Sequence, residues 1–222
     1  MYHSVGENNA FFTVAPLVFE KQLSYIKKKG FETVFLSEAI LNYPKEKVGR
    51  KIILTFDDGY TDNFTTVLPL LRKYGFKATF FIPIGKIGGQ MTTSDGVTLS
   101  IMDMEQIEQI AKEEREIIEL LPHTVSHPDL SILPKEDVHK ELVESKGFIE
   151  NITGKHATLL AYPKGRYNSA VVDAAKESGY KGAVTVKKGV YNLLTNKYEI
   201  PRNSIDKETS FAEFKAKVFC KI

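Results

Sequence analysis

Short apolar runs alternate along this chain with longer segments in which apolar residues recur every three or four positions. The short runs are rich in β-branched and aromatic residues, which predicts buried strands, and the longer segments have the period of amphipathic helices. The predicted strands are 33–36, 51–56, 78–82, 116–119, 158–162, 181–186 and 198–200. The predicted helices are 16–30, 63–74, 103–113, 134–151 and 168–179.

Several helix boundaries rest on local signals. Pro16 suits a first helical turn, where its missing N–H costs little, and Gly30 is a typical helix stop. Asp103 and Gln106 have the spacing of a capping box, in which each side chain bonds the other residue's backbone N–H. Asn168 is placed to cap the helix that follows it.

The order of these elements predicts an α/β fold. Strands separated by helices of about ten or more residues pair in parallel, because the chain crosses over between them. About seven such units in one domain predict a barrel rather than an open sheet. The chain has 222 residues, a normal length for one α/β barrel, so we expect a single domain over 1–222.

Composition narrows the class of protein. Hydrophobic residues make up 42% of the chain, which is enough to fill a core and argues against disorder. The 30 basic and 28 acidic residues leave a net charge of +2, so nucleic acid is not an indicated partner. The one cysteine, Cys220, cannot form an internal disulfide.

The sequence indicates neither a membrane span nor a secretion signal. No run approaches the roughly 18 apolar residues of a spanning helix. Tyr2, His3 and Ser4 follow Met1 directly, without the basic region and apolar run of a signal peptide. Two alternatives stay open: the protein remains inside the cell, or the chain begins downstream of a leader.

Polar clusters directly follow three of the predicted strands. They are 55–59 (TFDDG), 123–128 (HTVSHP) and 162–167 (YPKGRY). In an α/β barrel the active site forms at the C-terminal ends of the strands. The three clusters are therefore expected to meet in space although they lie far apart in the sequence.

The first cluster carries two adjacent carboxylates, Asp57 and Asp58. Neighbouring side chains of an extended segment point in opposite directions, so one can bind a metal while the other faces a bound water. Two carboxylates side by side repel each other, and a divalent cation offsets that repulsion. The alternative is a structural acidic turn that ends at Gly59.

The second cluster carries His123 and His127, four residues apart. On a helical turn both rings would fall on one face and could share a metal, but Pro128 makes a tight turn or loop an equal alternative. Imidazoles are good ligands for zinc and similar ions. With Asp58 they would form a two-histidine, one-carboxylate set that leaves coordination positions open for water and substrate. Two surface histidines in a turn are the alternative.

These motifs resemble those of the polysaccharide deacetylase family of carbohydrate esterases. TFDDG, HTVSHPDL and YPKGRYN occur in the family's order and spacing, and the resemblance covers nearly the whole chain. The opening Tyr2-His3 and the Tyr162-Pro163 form of the third motif are similar to the branch that includes poly-N-acetylglucosamine deacetylases. The resemblance implies a single catalytic domain with a distorted (β/α)7 barrel.

The resemblance also implies an activity. A member of this family removes N-acetyl groups from N-acetylglucosamine units of a polysaccharide with the help of a divalent metal. We expect zinc, with cobalt, nickel or iron as alternatives for the same ligand set. The resemblance further suggests a location outside the cytoplasm or at the cell surface, and we expect a monomer.

Site residues follow from the match to the family motifs. Asp57 matches the catalytic base. The positions that match the metal ligands are Asp58, His123 and His127. Lys164 matches the backbone N–H that holds the oxyanion, since Pro163 has no N–H to give. The expected substrate contacts are Tyr60, Tyr162, Pro163 and Tyr167.

Three departures from the family pattern affect the site. Pro122 precedes the second motif and could re-aim His123. Ala161 stands where an arginine commonly orients the base; Arg202 is the candidate replacement, with a structural ion pair as the alternative. No histidine follows position 156, so His3 is the expected general acid in place of a later one.

Two other functions stay open. One is the same metal chemistry on a small non-sugar amide, because few aromatic residues flank the motifs. The other is a degenerate, non-catalytic glycan-binding protein, although the intact motif residues argue against it: Asp57, Asp58, His123 and His127. Phosphoryl transfer is excluded because no glycine-rich phosphate loop accompanies the acidic pair.

Overall fold

The computed structural model describes residues 1–42, 50–192 and 194–219. Its strands are β1 (Ser4–Val5), β2 (Thr13–Val14), β3 (Glu32–Thr33), β4 (Lys51–Ile52), β5 (Thr55–Phe56), β6 (Ala78–Ile82), β7 (Gln90–Thr92), β8 (Thr98–Ser100), β9 (Ile118–Pro122), β10 (Leu159–Ala161) and β11 (Gly182–Val184). Its α-helices are α1 (Pro16–Lys28), α2 (Leu68–Tyr74), α3 (Met104–Glu113), α4 (Lys135–Thr153), α5 (Ser169–Glu177) and α6 (Phe211–Val218). Short π-helical turns cover Glu38–Asn42 and Asn63–Val67, and 3₁₀ turns cover Ile84–Lys86, Leu130–Ile132 and Pro163–Gly165.

Parallel pairing dominates the sheets. The parallel sets are β1–β2, β3–β4, β5–β6–β9 and β10–β11, whereas β7 and β8 form an antiparallel hairpin. In the three-stranded sheet Phe80 pairs with Phe56 on one side and Leu120 on the other. α2 lies between β5 and β6, and α5 lies between β10 and β11. The parallel pairing that the helical crossovers predicted is therefore confirmed.

The ladders do not close into a continuous ring within the ranges that the structure describes. β9 contacts β10 without a backbone ladder, and the two are joined by the His123 ring, whose Nδ1 lies 2.8 Å from the Ala161 carbonyl oxygen. A single parallel bridge joins Tyr2 to Phe56. The distorted (β/α)7 barrel that the sequence predicted is thus seen only in part: among the described residues its parallel units are present, but they do not form a closed ring. The strands are only two to five residues long, so neighbouring strands can form few backbone hydrogen bonds with which to close a ring.

Some strand boundaries differ from the predicted ones. The run 51–56 divides into β4 and β5 because its halves pair with different neighbours, β3 and β6. The run 116–119 becomes a strand only at Ile118, because the N–H groups of Ile117 and Ile118 still donate to the Glu114 carbonyl in the turn after α3. The run 198–200 contributes one parallel bridge, between Ile200 and Val184, instead of a strand. The runs 33–36, 158–162 and 181–186 correspond to the shorter β3, β10 and β11.

The sequence analysis missed β1, β2, the β7–β8 hairpin and α6. Strands of two residues are too short to show a period, and β7 and β8 each expose alternate residues at the surface. α6 did carry a signal. Ser210 and Glu213 form a capping box at its start, with the same spacing that predicted α3.

The local helix signals are confirmed. α1 begins at Pro16, and Gly30 adopts a left-handed backbone just after its end. Asp103 and Gln106 form both bonds of the capping box at α3, and the Asn168 side chain caps α5. Across the described parts of the chain, each helix is too short or too polar to span a bilayer.

The main core is centred on β6. All five residues of this strand are buried, and the Phe80 ring meets the Phe56 ring edge-on with centroids 5.3 Å apart. α1 packs an apolar face against the same core through Phe19, Leu23 and Ile26. A second apolar cluster includes Leu142 of α4, residues of α5, and Tyr180. These clusters fix the strand ends at which the polar motifs lie.

Truncation of Phe80 tests the central place of β6. Phe80 is fully buried, so Phe80→Ala should lower the free energy of unfolding by about 3–5 kcal/mol through lost apolar contact and the cavity left behind. Leu17→Ala is the control, because Leu17 is 79% exposed and its truncation should change stability by less than about 0.5 kcal/mol. Urea unfolding followed by circular dichroism gives both values. A loss below about 1 kcal/mol for Phe80→Ala would contradict this placement of the core.

Candidate metal centre and active site

Asp58, His123 and His127 converge beyond the ends of two neighbouring strands. Asp58 lies just after β5, His123 directly follows β9, and His127 lies in the loop beyond. Asp58 Oδ1 is 3.5 Å from His123 Nε2 and 3.2 Å from His127 Nε2. One potential ligand atom from each residue lies within 4.8 Å of the other two. The three side chains therefore form a compact cluster, in which Asp58 and His123 are buried.

Two of the separations in this cluster match those of a tetrahedral metal site. Zinc bonds of about 2.0–2.1 Å place neighbouring ligand atoms about 3.3 Å apart in tetrahedral geometry. The two separations from Asp58 Oδ1, 3.5 and 3.2 Å, lie on either side of that value. His123 Nδ1 faces the Ala161 carbonyl oxygen, which can only accept, so Nδ1 carries a proton and Nε2 is the ring nitrogen that faces Asp58. The donor set fits zinc, and equally cobalt, nickel or iron.

Unusual backbone conformations cluster in the same motifs. Within the described ranges, the non-glycine residues with a left-handed backbone are Asp58 (φ 72°), Thr124 (φ 67°), His127 (φ 61°) and Lys164 (φ 56°). Such conformations cost about 1–3 kcal/mol each and persist where the surrounding structure holds them, often at functional sites. Asp58 is therefore not extended as predicted. The segment 123–127 is an irregular turn, which decides between the helical and the loop alternatives.

Pro122 does not divert His123. Pro122 ends β9 opposite Ile82, and the His123 N–H donates to the Ile82 carbonyl oxygen at 2.9 Å. The ladder thus continues past the proline, which removes only its own N–H. His123 keeps its ring towards Asp58 for this reason.

Asp57 is paired with Arg202 and not with the histidines. The two terminal nitrogens of Arg202 donate to Asp57 Oδ1 and Oδ2, each at 2.7 Å. Arg202 Nε donates to the Thr185 carbonyl oxygen at 3.0 Å, which fixes the plane of the guanidinium. Both side chains are buried, with 6% and 4% of their surfaces exposed. Ala161 cannot make such a contact, because a methyl group does not pair with a carboxylate.

The protein keeps both adjacent carboxylates charged. Burial raises the pKa of Asp58, but hydrogen bonds with the two site histidines outweigh burial and hold the pKa well below its usual value. Burial likewise raises the pKa of Asp57, but the charge and hydrogen bonds of Arg202 outweigh it and lower the pKa. Each carboxylate therefore has its own positive or proton-donating partner, as two buried neighbouring anions require.

His3 lies within the electrostatic reach of this site. Its ring packs on Phe12 with centroids 4.6 Å apart, and Asn63 Nδ2 donates to the His3 carbonyl oxygen at 2.8 Å. Burial lowers the pKa of His3, and the opposing charges of Asp58 and Asp57 offset this only in part. His3 Nδ1 is buried and has no hydrogen-bond partner among the described residues. His3 therefore has a buried, unpaired ring nitrogen and lies close enough to the two carboxylates for their charges to act on its pKa.

The aromatic residues of the motifs are largely enclosed. Tyr60 and Tyr162 are 4% and 1% exposed. The Tyr162 ring stacks on Tyr167 with centroids 4.6 Å apart, and Lys187 Nζ lies 5.2 Å from the centre of the Tyr167 ring. The Tyr167 hydroxyl donates to Glu199 Oε1 at 3.0 Å. These rings have little free face for a sugar, because other parts of the protein already cover them.

The third motif forms a tight turn around Lys164. The Gly165 N–H donates to the Tyr162 carbonyl oxygen at 2.9 Å, and the Arg166 N–H donates to the Pro163 carbonyl oxygen at 3.0 Å. Pro163 is buried, whereas the Lys164 side chain is exposed. The turn therefore uses the N–H groups that follow Lys164, and Pro163 has none.

Sequence reasoning missed Glu141, which belongs to α4. Glu141 Oε2 accepts hydrogen bonds from the backbone N–H groups of Val125 and Ser126, at 2.7 and 2.9 Å. No motif contains this residue. The available signal was its place beside Val138 and Leu142 on the buried face of the helix, where a carboxylate needs hydrogen-bond partners.

The family profile and the relatives that match this chain in sequence carry the names of polysaccharide deacetylases. The family profile described as polysaccharide deacetylase matches residues 45–183. YxkH of Bacillus subtilis (strain 168), whose name is that of a polysaccharide deacetylase, is 32% identical over 219 residues, covering 97% of this chain and 74% of YxkH. The poly-beta-1,6-N-acetyl-D-glucosamine N-deacetylase of Staphylococcus aureus (strain MRSA252) is 24% identical over 198 residues, covering 86% of this chain and 67% of that protein.

A solved structure has a similar fold. The Streptococcus pyogenes deacetylase PplD, solved in complex with acetate, matches with a TM-score of 0.83 and 24% identity. The match covers 98% of this chain and 95% of the PplD chain. At this identity the likeness supports the fold alone, and the site rests on its own geometry.

Removing one imidazole tests the metal centre. His127→Ala should weaken zinc binding by the metal-stripped protein by at least about 100-fold, because even partners that only orient a ligand contribute about 10–100-fold. His156→Ala is the control, since the His156 side chain is 91% exposed and should not affect zinc binding. Isothermal titration calorimetry measures both affinities. Equal zinc affinity in the two variants would contradict the place of His127 in the centre.

Proposed function

This chain belongs to the polysaccharide deacetylase family, and we propose that it removes N-acetyl groups from N-acetylglucosamine units of a polysaccharide. The observation that carries this proposal is the pairing of a fixed, charged Asp57 with the adjacent cluster around Asp58. A hydrolytic metal enzyme needs both a metal site and a base beside it. We infer that residues 1–222 form one catalytic domain that acts as a monomer.

The proposed metal ligands are Asp58, His123 and His127, and zinc is the expected ion. When bound there, a divalent cation supplies Lewis-acid polarisation of the acetamide carbonyl and lowers the pKa of water. The chain's own contribution is the orientation of the ligands. The Ala161 carbonyl fixes the tautomer of His123, and the left-handed backbone of Asp58 and His127 aims both side chains at one point.

Asp57 is the proposed general base. It is an anion at neutral pH, because Arg202 lowers its pKa more than burial raises it. Each carboxylate oxygen has two acceptor sites, so both oxygens can bind Arg202 and still accept the proton of an attacking water. Arg202 is the proposed positioning residue for this base, since its bidentate contact fixes the plane of the carboxylate.

The Lys164 backbone N–H is the proposed donor to the oxyanion that forms when water adds to the carbonyl. Two observations support this assignment. The turn is closed by the N–H groups of Gly165 and Arg166, which leaves this role to Lys164. Pro163 has no N–H to offer at the neighbouring position. A donor held in a tight turn needs no reorganisation during the reaction.

His3 is the proposed general acid that protonates the leaving amine nitrogen. Burial lowers its pKa, which makes the imidazolium a stronger acid, and the charges of Asp58 and Asp57 offset that lowering only in part. The unpaired Nδ1 supports a role in proton transfer, because a purely structural buried nitrogen normally has a partner.

The polymer is proposed to be a surface polysaccharide that contains N-acetylglucosamine. The Staphylococcus aureus relative, whose name gives poly-beta-1,6-N-acetyl-D-glucosamine as its substrate, supports this class. Such a substrate places the reaction outside the cytoplasm. The proposed contacts of Tyr60, Tyr162, Pro163 and Tyr167 would act mainly by shaping the site, since Tyr60, Tyr162 and Pro163 are buried and Tyr167 is covered by Tyr162 and Lys187.

Acetate release tests the reaction and its base. Metal-stripped protein should release acetate from a poly-N-acetylglucosamine oligomer only when zinc is added. Asp57→Asn should lower the rate about 100- to 10,000-fold, because the amide cannot accept the proton. Zinc affinity of this variant, measured by calorimetry, is the control for an intact metal site. Release from simple amides but not from the oligomer would favour the small-amide function, and no release despite tight zinc binding would favour a glycan-binding protein.

Turnover of a His3 variant tests the proposed acid. His3→Ala should lower kcat about 100-fold through loss of the proton donor, while zinc content, measured by atomic absorption, stays that of the wild type. His139→Ala is the matched control, since His139 is exposed on α4. Unchanged turnover in His3→Ala would show that His3 has only a packing role.

A further inference from the structure

The segment between the two site histidines, residues 124–126, is held on one side by backbone hydrogen bonds. We call it the histidine loop. The N–H groups of Ile84 and Gly85 donate to the carbonyl oxygens of Thr124 and Val125, at 3.1 and 2.8 Å. The approach is close: a Cβ at Gly85 would lie 2.9 Å from the Val125 carbonyl oxygen. These bonds satisfy two of the three carbonyl groups of the loop and leave its N–H groups to find other partners.

One carboxylate holds the other side of the histidine loop. Glu141 Oε2 accepts from the N–H groups of Val125 and Ser126, at 2.7 and 2.9 Å. Glu141 Oε1 accepts from the Ser126 hydroxyl at 2.6 Å. Glu141 thus accepts three hydrogen bonds from the loop, which tie the loop to α4.

This anchoring matters because the loop has a disfavoured backbone. Thr124 in the loop and His127 directly after it both have a left-handed backbone, with φ of 67° and 61°. Side chains other than glycine disfavour this conformation by about 1–2 kcal/mol per residue, so the loop would relax without external bonds. A local bond spans the loop, from the His127 N–H to the Thr124 hydroxyl, but it is longer, at 3.2 Å.

We propose that Glu141 is a positioning residue of the metal centre, and that its three bonds to the histidine loop hold His127 Nε2 against Asp58. The inference rests on the proposed metal site but not on the identity of the substrate. Glu141 bonds the backbone N–H groups and a hydroxyl of the loop, and not the imidazoles. It therefore acts through the shape of the loop, and the number and reach of its acceptor atoms should matter more than its charge.

Three substitutions separate shape from charge. Glu141→Gln keeps the length and one carbonyl oxygen that can accept from both N–H groups, while its NH2 can donate to the Ser126 hydroxyl. Glu141→Asp keeps the charge but is one methylene too short to reach the loop. Glu141→Ala removes both. Glu144→Gln is the matched control, because Glu144 is an exposed glutamate on the same helix.

Zinc affinity of metal-stripped protein, measured by calorimetry, is the first readout. Glu141→Gln should bind zinc within about 3-fold of the wild type, and Glu141→Asp and Glu141→Ala should bind about 10- to 100-fold more weakly. Glu144→Gln should bind as the wild type does. Hydrogen exchange of the peptide that contains Val125 and Ser126, in the metal-free state, is the second readout. It should quicken in the Asp and Ala variants but not in the Gln variant.

The opposite pattern would overturn the inference. Wild-type zinc affinity in Glu141→Asp, together with weaker zinc binding in Glu141→Gln, would show that the charge of residue 141 holds the loop and that the length of its side chain does not. Wild-type affinity in all three variants would show that the loop needs no anchor. Should Glu141→Ala fail to fold, the Gln and Asp variants decide the question. A wild-type protein that binds no zinc would overturn the proposed metal site as well, whereas unaffected variants of a zinc-binding protein overturn this inference alone.

Discussion

Two adjacent buried carboxylates, Asp57 and Asp58, set the main constraint on this protein. Buried anions side by side repel each other and lose their hydration, so each needs a partner of its own. Asp57 has Arg202, which reaches it from a distant part of the chain and binds both oxygens. Asp58 has the two imidazoles and, with them, the geometry of a divalent metal site. Strand ends that are far apart in sequence must therefore meet at one place.

The fold meets this constraint with many short ladders in place of a continuous ring. Parallel pairing brings the ends of β5, β6 and β9 to one edge, and the His123 ring joins β9 to β10 there. The backbone at this edge is left-handed at Asp58, Thr124, His127 and Lys164. In the loop between the two histidines, hydrogen bonds to residues outside the motifs offset the cost of the left-handed backbone. The surrounding structure thus maintains a site that its local sequence would not adopt alone.

Arg202 reaches Asp57 from a different part of the fold than the family pattern predicted. That pattern has an arginine at the position of Ala161, where it is expected to orient the proposed base. Here Ile200 pairs with Val184 at the edge of β11, and the Arg202 N–H donates to the Lys187 carbonyl oxygen at 2.9 Å. This pairing brings the Arg202 guanidinium to Asp57 from the neighbouring strand end. Its bidentate contact fixes the plane of the buried carboxylate.

The sequence by itself determined the features that depend on neighbouring residues. Pro16 in the first turn and the capping residues Asp103 and Asn168 marked the starts of three helices. The crossovers predicted parallel pairing, and the motifs predicted the members of the candidate metal cluster. Only the tertiary structure decided where the strands begin and end, that they form no closed ring in the described ranges, that Arg202 reaches Asp57, and that Glu141 anchors the histidine loop. A cap or a period is a local interaction and leaves a local pattern. A contact between distant segments depends on how the whole chain packs, and one sequence carries no local mark of it.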